Sequence, residues 1–444
     1  MKNSREVAYD VLLKVLNEDA YSNLALDNAV KENNLSKLDS AFCTALVYGV
    51  LERLLTLDYI IRKMSSVPFR KIELPTLIIL RMGIYQILYM DKVPDSAAVN
   101  ESVNLAKKKK LFKSSGFING MLRTLIRAEC KFPLPPESDR VRYMSVKYSC
   151  PEYLVKLWLD SYGENVTISI LESLCGRPPL TIHTNTLLTD SDTLIENLSD
   201  EGVIAEKSQV SNMLTVRNTG AVDSLKAYNL GEFFVQDTAS ALCAYIANPK
   251  AGDKVYDVCS APGGKSFAMA INMENKGEVY SFDLHPHKIK LIEAGAKRLG
   301  ISIINASVRD AAKDSTLTEQ ADVVLCDVPC SGFGILRRKP EIRYNKSEDY
   351  TNLPSLQLSI LENSAKLVKM GGTLVYSTCT LNPQENSDVV EAFLSKHPEF
   401  TGRVITLPDG INRKIQEADN MLTLFPSPQG SDGFFIALME RSRI

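Results

Sequence analysis

Residues 327–332 read DVPCSG, and an apolar run, VVLCDV, leads into them. Asp327 and Cys330 therefore stand three residues apart where a strand gives way to a loop. A carboxylate can hold or accept a proton, and a thiolate is a strong nucleophile near neutral pH. A second strand-like run, GTLVYST (372–378), ends in another cysteine, Cys379. A third string, CSAPGGK (259–265), contains Gly263 and Gly264, which let a backbone approach a ligand closely, and ends in Lys265. Asp283 closes EVYSFDL (278–284), where a carboxylate can accept ribose hydroxyls, and Asp310 follows the next strand region, placed for an adenine edge. Taken singly, each acid reads more readily as a helix cap or solvated loop residue. Together with the glycine turn they favour a bound adenosine.

A phosphate-loop reading of CSAPGGKS fails at its first position, where Cys259 replaces glycine. Pro262 also removes an N–H that could hold phosphate. The remaining cysteines, Cys43, Cys130, Cys150, Cys175, Cys243 and Cys326, read as small core hydrophobes, and Cys259 as a packing residue. Nine scattered cysteines without paired CxxC motifs exclude a disulfide framework or zinc site, and four histidines leave little for any other metal. A reducing cytoplasm is the expected compartment. A net charge of −2 gives no global nucleic-acid signature, so any basic surface must be local.

Elements must bring these strings together, and 444 residues predict two or three domains. Residues 1–135 read as all-helical. Val7, Val11, Leu12 and Val15 recur at helical spacing, and Asp39 is placed to cap one long run, AFCTALVYGVLERLLTLDYIIRK. Three prolines in KFPLPPES (131–138) mark a linker. Residues 140–230 read as a small α+β unit containing LTIHTN (180–185). From 231 to 444 short apolar strands alternate with helices, which predicts a parallel sheet covered on both faces. Ligands of such sheets sit beyond the carboxyl ends of the strands, where all the strings above fall. No apolar run approaches the roughly 20 residues that span a bilayer.

YDVCSAPGGKS, SFDLH, DVPCSGFGILRRKPEIR and LVYSTCTLNPQENSDVV resemble the motifs of the RNA cytosine-C5 methyltransferases, within them the branch acting on bacterial 16S ribosomal RNA. DSAFCTALVYGVLERLLTLDYII, LRMGIYQILYM and GFINGMLR resemble the NusB-type RNA-binding domain fused to that branch. The resemblance implies a Rossmann-like class I methyltransferase domain at the C-terminus and S-adenosylmethionine as cofactor. It maps that cofactor onto Cys259, Ser260, Ala261, Pro262, Gly263, Gly264, Lys265, Asp283, Asp310 and Asp327. It implies that Cys379 is the nucleophile adding to C6 of the cytosine, Cys330 assists product release, and Asp327 activates the base. Lys265 is placed to approach the base or to favour the Cys379 thiolate.

RNA contact is expected from Lys107, Lys108, Lys109 and Lys110 and, after the catalytic loop, from Arg337, Arg338 and Arg343. His183 stands where the family carries an arginine, and no role is assigned to it. Gln236 and Asp237 in FFVQDTAS (233–240) are expected to order the site. The expected partner is ribosomal RNA, with no membrane or metal, and the expected state is a monomer. Two other readings stay open: the same chemistry on transfer RNA or another ribosomal site, and an RNA-binding assembly or transcription factor with a vestigial enzyme.

Overall fold

A computed structural model of the chain describes residues 2–18, 20–176, 178–313, 320–344, 350–427 and 430–442. The chain divides into two compact units. One comprises Met1–Arg177 with Leu336–Asn345, the other Pro178–Ile335 with Lys346–Ile444.

The first unit is helical. Helices Ser4–Glu18, Lys37–Glu52, Leu54–Met64, Leu74–Tyr89, Asp95–Lys108 and Phe112–Arg127 surround a core that includes Leu12, Leu46, Val50, Leu57, Ile78 and Leu122, all fully buried. Leu74–Tyr89 is apolar on every face and almost wholly buried, the pattern of a central helix. At Gly49 a Cβ would meet the Tyr85 ring at 1.9 Å, so only glycine lets these helices approach so closely. Among the described residues no single helix is long and apolar enough to cross a membrane.

The long run expected over residues 41–63 is two helices, broken at Arg53 and bent by 72°. Ser149 explains the break: its Oγ accepts from the Leu55 N–H at 3.1 Å, while Thr56 Oγ1 donates to the Val146 carbonyl at 2.6 Å. These distant partners satisfy groups that a continuous helix would have bonded internally. The cap also moves upstream: Ser36, not Asp39, is the N-cap, accepting from the Asp39 N–H at 3.1 Å.

The proline-rich stretch does not end this unit. Helices Arg140–Tyr148 and Glu152–Ser173 follow it within the same compact body. Leu336–Asn345 joins them, and Arg343 is its anchor. Arg343 is fully buried and donates to the carbonyls of Glu52 (3.0 Å), Ser149 (3.3 Å) and Leu174. The expectation that Arg343 meets RNA is therefore corrected. Its guanidinium satisfies main-chain oxygens inside the helical unit. Arg337 is also buried and Arg338 is half-buried.

The second unit holds two sheets. β1 (Leu180–Thr184), β2 (Ile204–Lys207), β3 (Met213–Arg217) and β4 (Phe233–Val235) form an antiparallel sheet in the order β2-β3-β1-β4. Leu194 and Leu198 of helix Ser191–Asp200 pack against it with Ile182, Leu214 and Phe233.

The larger sheet contains β5 (Lys254–Asp257), β6 (Glu278–Asp283), β7 (Ile304–Val308), β8 (Ala321–Asp327), β9 (Val368–Thr378), β10 (Phe400–Gly402), β11 (Met421–Leu424) and β12 (Phe434–Arg441). Its order is β10-β12-β9-β8-β5-β6-β7, with β11 paired to β12. β5 to β9 run parallel, as expected. β12 inserts antiparallel beside β9, and β10 and β11 pair antiparallel to β12, so the sheet is mixed. β10 and β11 are too short to announce themselves by periodicity. The order reverses between β5 and β8, and a ligand crevice is expected at their carboxyl ends.

Candidate active site

Each expected catalytic residue ends or follows a strand of the larger sheet: Asp327 ends β8, Cys330 lies in the loop beyond it, and Cys379 directly follows β9. β8 and β9 are hydrogen-bonded neighbours, with Asp327 opposite Ser377. That register brings Cys330 Sγ to 3.3 Å from Cys379 Sγ, both thiols free and partly exposed. The hydrogen bond to Cys379 first, and burial second, push the Cys330 thiol well above its ordinary value. Either sulfur can be the donor in this contact.

Asp327 is held from both sides. Lys265 Nζ donates to Oδ2 at 2.7 Å and Ser377 Oγ to Oδ1 at 2.8 Å. Burial opposes the Lys265 charge most strongly, but Asp327, Cys243 and Asp257 together outweigh it and the lysine is raised above its usual range. The Lys265 ammonium also lies 5.1 Å from the Phe434 ring centroid. Its charge is committed to Asp327.

The glycine turn joins β5 to helix Gly264–Asn272. Gly263 has φ 109°, and a Cβ there would lie 2.5 Å from the Phe267 ring. Ser260 Oγ donates to the Phe282 carbonyl at 2.9 Å, tying the turn to β6. Gln236 Nε2 donates to the Gly264 carbonyl at 3.1 Å, and Gln236 Oε1 meets His183 Nδ1 at 2.7 Å. His183 is buried and stacked on Phe234, and burial lowers its pKa, so it is neutral and faces no phosphate. Asp237 caps helix Thr238–Ala247 by accepting from the Ala239 N–H at 2.9 Å.

Beside the turn lies a cavity of about 350 Å³ lined by Cys259, Ala261, Asp283, Asp310 and Asp327, together with Leu284, Lys288 and Arg309. Ser260, Pro262, Gly263, Gly264 and Lys265 shape the turn behind it rather than lining it. Asp283 accepts from the His285 N–H at 3.1 Å, and Asp310 from the Ala312 N–H at 3.0 Å. Carboxylates at the ends of successive strand regions, a glycine turn and an apolar floor from Val258 and Ile360 suit a nucleoside. Burial pushes the Cys259 thiol far up, which agrees with packing and not reactivity.

Two buried acids escaped the sequence reading. Asp257 closes β5, fully buried; its Oδ2 accepts from Ser266 Oγ at 2.7 Å, and its Oδ1 meets no hydrogen-bond partner among the described residues. Glu385 in NPQEN ends a 3-10 turn, and the following helix begins at Ser387. An acid between asparagines signals a cap, and only the fold reveals its distant partners.

The lysines expected to contact RNA occupy the helical unit. Lys107, Lys108 and Lys110 are exposed; Lys108 pairs with Glu6 at 3.2 Å and Lys109 with Asp10.

Relatives of known name extend along the whole chain. The probable ribosomal RNA small subunit methyltransferase B of Bacillus subtilis (strain 168) is 39% identical over 442 residues, 98% of each chain. That of Synechocystis sp. is 34% identical over the full length of both. The chain belongs to the ribosomal RNA small subunit methyltransferase B family. The family model for the 16S rRNA methyltransferases RsmB/F matches residues 244–440, the NusB family model residues 2–127, and a ferredoxin-like domain of RsmF/B-like methyltransferases residues 150–223. This methyltransferase B architecture therefore has a NusB domain, a ferredoxin-like domain and a Rossmann-like methyltransferase domain. By compactness, helix Glu152–Ser173 of the ferredoxin-like segment stays with the NusB helices. The crystal structure of PH0851 aligns with a TM-score of 0.82 at 26% identity over 99% of both chains. NSun6 from Pyrococcus horikoshii with SFG covers 66% of this chain and 99% of its own at a TM-score of 0.59 and 22% identity, a likeness of fold.

Proposed function

We propose that the protein transfers a methyl group from S-adenosylmethionine to C5 of a cytosine in 16S ribosomal RNA, through a covalent bond between Cys379 and C6. The observation that carries this reading is the 3.3 Å approach of Cys330 and Cys379 beside Asp327, which itself lines the nucleoside-sized cavity. An isolated cysteine has many explanations. Two thiols and a carboxylate at adjacent strand ends fit the covalent activation that pyrimidine C5 alkylation requires.

S-adenosylmethionine supplies an electrophilic methyl group; Asp283 and Asp310 would hold its nucleoside. Cys379 adds as thiolate to C6, and the C5=C6 electron pair moves to C5, which becomes nucleophilic. Asp327, held in place by Lys265, accepts hydrogen bonds from the 4-amino group and protonated N3, favouring the ring form that addition needs. After methylation the C5 proton must leave and the S–C6 bond must break, restoring C5=C6 and returning an electron pair to Cys379. Cys330, already bonded to that sulfur, relays the proton: it takes one from C5 as it gives its own to Cys379. The base must be single-stranded or flipped to reach these groups.

Methyl transfer from labelled cofactor into 16S RNA, followed by mapping of 5-methylcytosine, tests the reading. Label at C5 of one cytosine supports it; label confined to transfer RNA, or at another base atom, refutes it.

A further inference from the structure

Cys330 and Cys379 lie beyond the ends of the paired strands β8 and β9, and the Gly334 N–H donates to the Cys379 carbonyl at 2.9 Å. The residue after each cysteine supplies a further, side-chain link. Ser331 Oγ and Thr380 Oγ1 are 2.7 Å apart, and Ser331 Oγ donates at 2.5 Å to Glu385 Oε1. Asn382 Nδ2 donates to the same oxygen at 3.0 Å. The other oxygen, Oε2, accepts from the Ser331 N–H at 2.9 Å and from Gln357 Nε2 at 2.9 Å. Gln357 Nε2 also donates to the Pro329 carbonyl at 2.9 Å, so it clasps the residue before Cys330 as well. Tyr376, three residues before Cys379, donates its hydroxyl to the Glu385 carbonyl at 2.6 Å.

Glu385 is fully buried, and each carboxylate oxygen accepts two hydrogen bonds. Satisfying every lone pair is the condition under which a buried carboxylate rigidifies its surroundings. We propose that Glu385 is a positioning residue for both thiols, clamping the Cys330 and Cys379 loops together through its bonds to Ser331, Asn382 and Gln357. The clamp matters to the proton relay, and this inference rests on the methyltransferase reading in that respect. Its geometry does not.

The side-chain chemistry selects the variant. Glu385→Gln keeps the volume but turns one oxygen into an NH₂ group, which must then face donors from Ser331 and Gln357 or from Asn382. Donor opposes donor, and the clamp opens. Thiol proximity is read directly by diamide, which accepts two electrons and two protons as Cys330 and Cys379 join in a disulfide. The expected result is slower disulfide formation in Glu385→Gln than in the native protein, by about 10–100-fold, the scale of a misplacement near 1 Å. Turnover on RNA falls over the same range, with KM for RNA and cofactor binding retained. Ser331→Ala, which removes one hydroxyl from the network, moves both quantities in the same direction and decides the matter if Glu385→Gln does not fold. Unchanged disulfide rates in the folded variants overturn the clamp. Slower disulfide formation in a protein that never methylates RNA upholds the clamp and overturns the methyltransferase reading instead.

Discussion

Lys265 Nζ stands 2.7 Å from Asp327 Oδ2, linking the first turn of the helix after β5 to the end of β8. Only 11% of the lysine side chain and 28% of the aspartate is exposed. Asp327 also lines the cavity beside the glycine turn, and the contact with Lys265 fixes its direction. Asp327→Asn leaves Lys265 as a buried charge without its counter-ion, which costs about 3 kcal/mol when one partner is removed. Chemical denaturation of this variant is expected to show that loss, and methyl transfer is expected to fall below detection.

Asp257 makes stability depend on pH in an unusual direction. Burial first, then the nearby Asp327 charge, raise its pKa from 3.8 to about 7, while Ser266 opposes the shift. The folded state therefore binds this proton more tightly than the unfolded chain does. The resulting stabilisation is complete below about pH 3.8 and is lost as pH rises through about 7. Asp257→Asn, a neutral replacement of the same shape, should melt progressively higher relative to the native protein between pH 5 and pH 8. A melting difference that stays flat over that range contradicts the assignment.

Gly263 occupies a backbone region that costs an L-residue about 1–2 kcal/mol, and the Phe267 ring blocks a Cβ as well. Gly263→Ala is expected to destabilise the protein by at least about 2 kcal/mol and to weaken cofactor binding, as read by calorimetry. Cys330 and Cys379, beyond the neighbouring ends of β8 and β9, should remain cross-linkable by diamide.

Arg343→Ala separates charge from structure. If the residue were an RNA contact, its loss would weaken RNA binding and reduce the salt slope. Because it donates to three buried carbonyls, the expected outcome is a stability loss of about 3 kcal/mol with the salt dependence of RNA binding unchanged.

These cases show what local strings carry and what they omit. CSAPGGK, DVPC and STCT were legible because chemistry that acts at strand ends is written in a few adjacent residues. Val7, Leu12 and the apolar strands were legible through periodicity. The break at Arg53 depends on Ser149, the Glu385 network on Ser331 and Gln357, and the neutrality of His183 on its burial beneath Phe234. Each needs a partner far away in sequence. Arg343 misled because composition reports charge and not burial, and β10, at three residues, is shorter than any pattern that could reveal it.

The division of labour between the thiols is tested most directly by intact-mass analysis of Cys330→Ala after incubation with S-adenosylmethionine and 16S RNA. With its proton relay gone, that variant is expected to accumulate a covalent protein–RNA species attached through Cys379, whereas Cys379→Ser forms none. An adduct on any other residue, or full turnover by Cys379→Ser, would contradict the assignment of Cys379 as nucleophile.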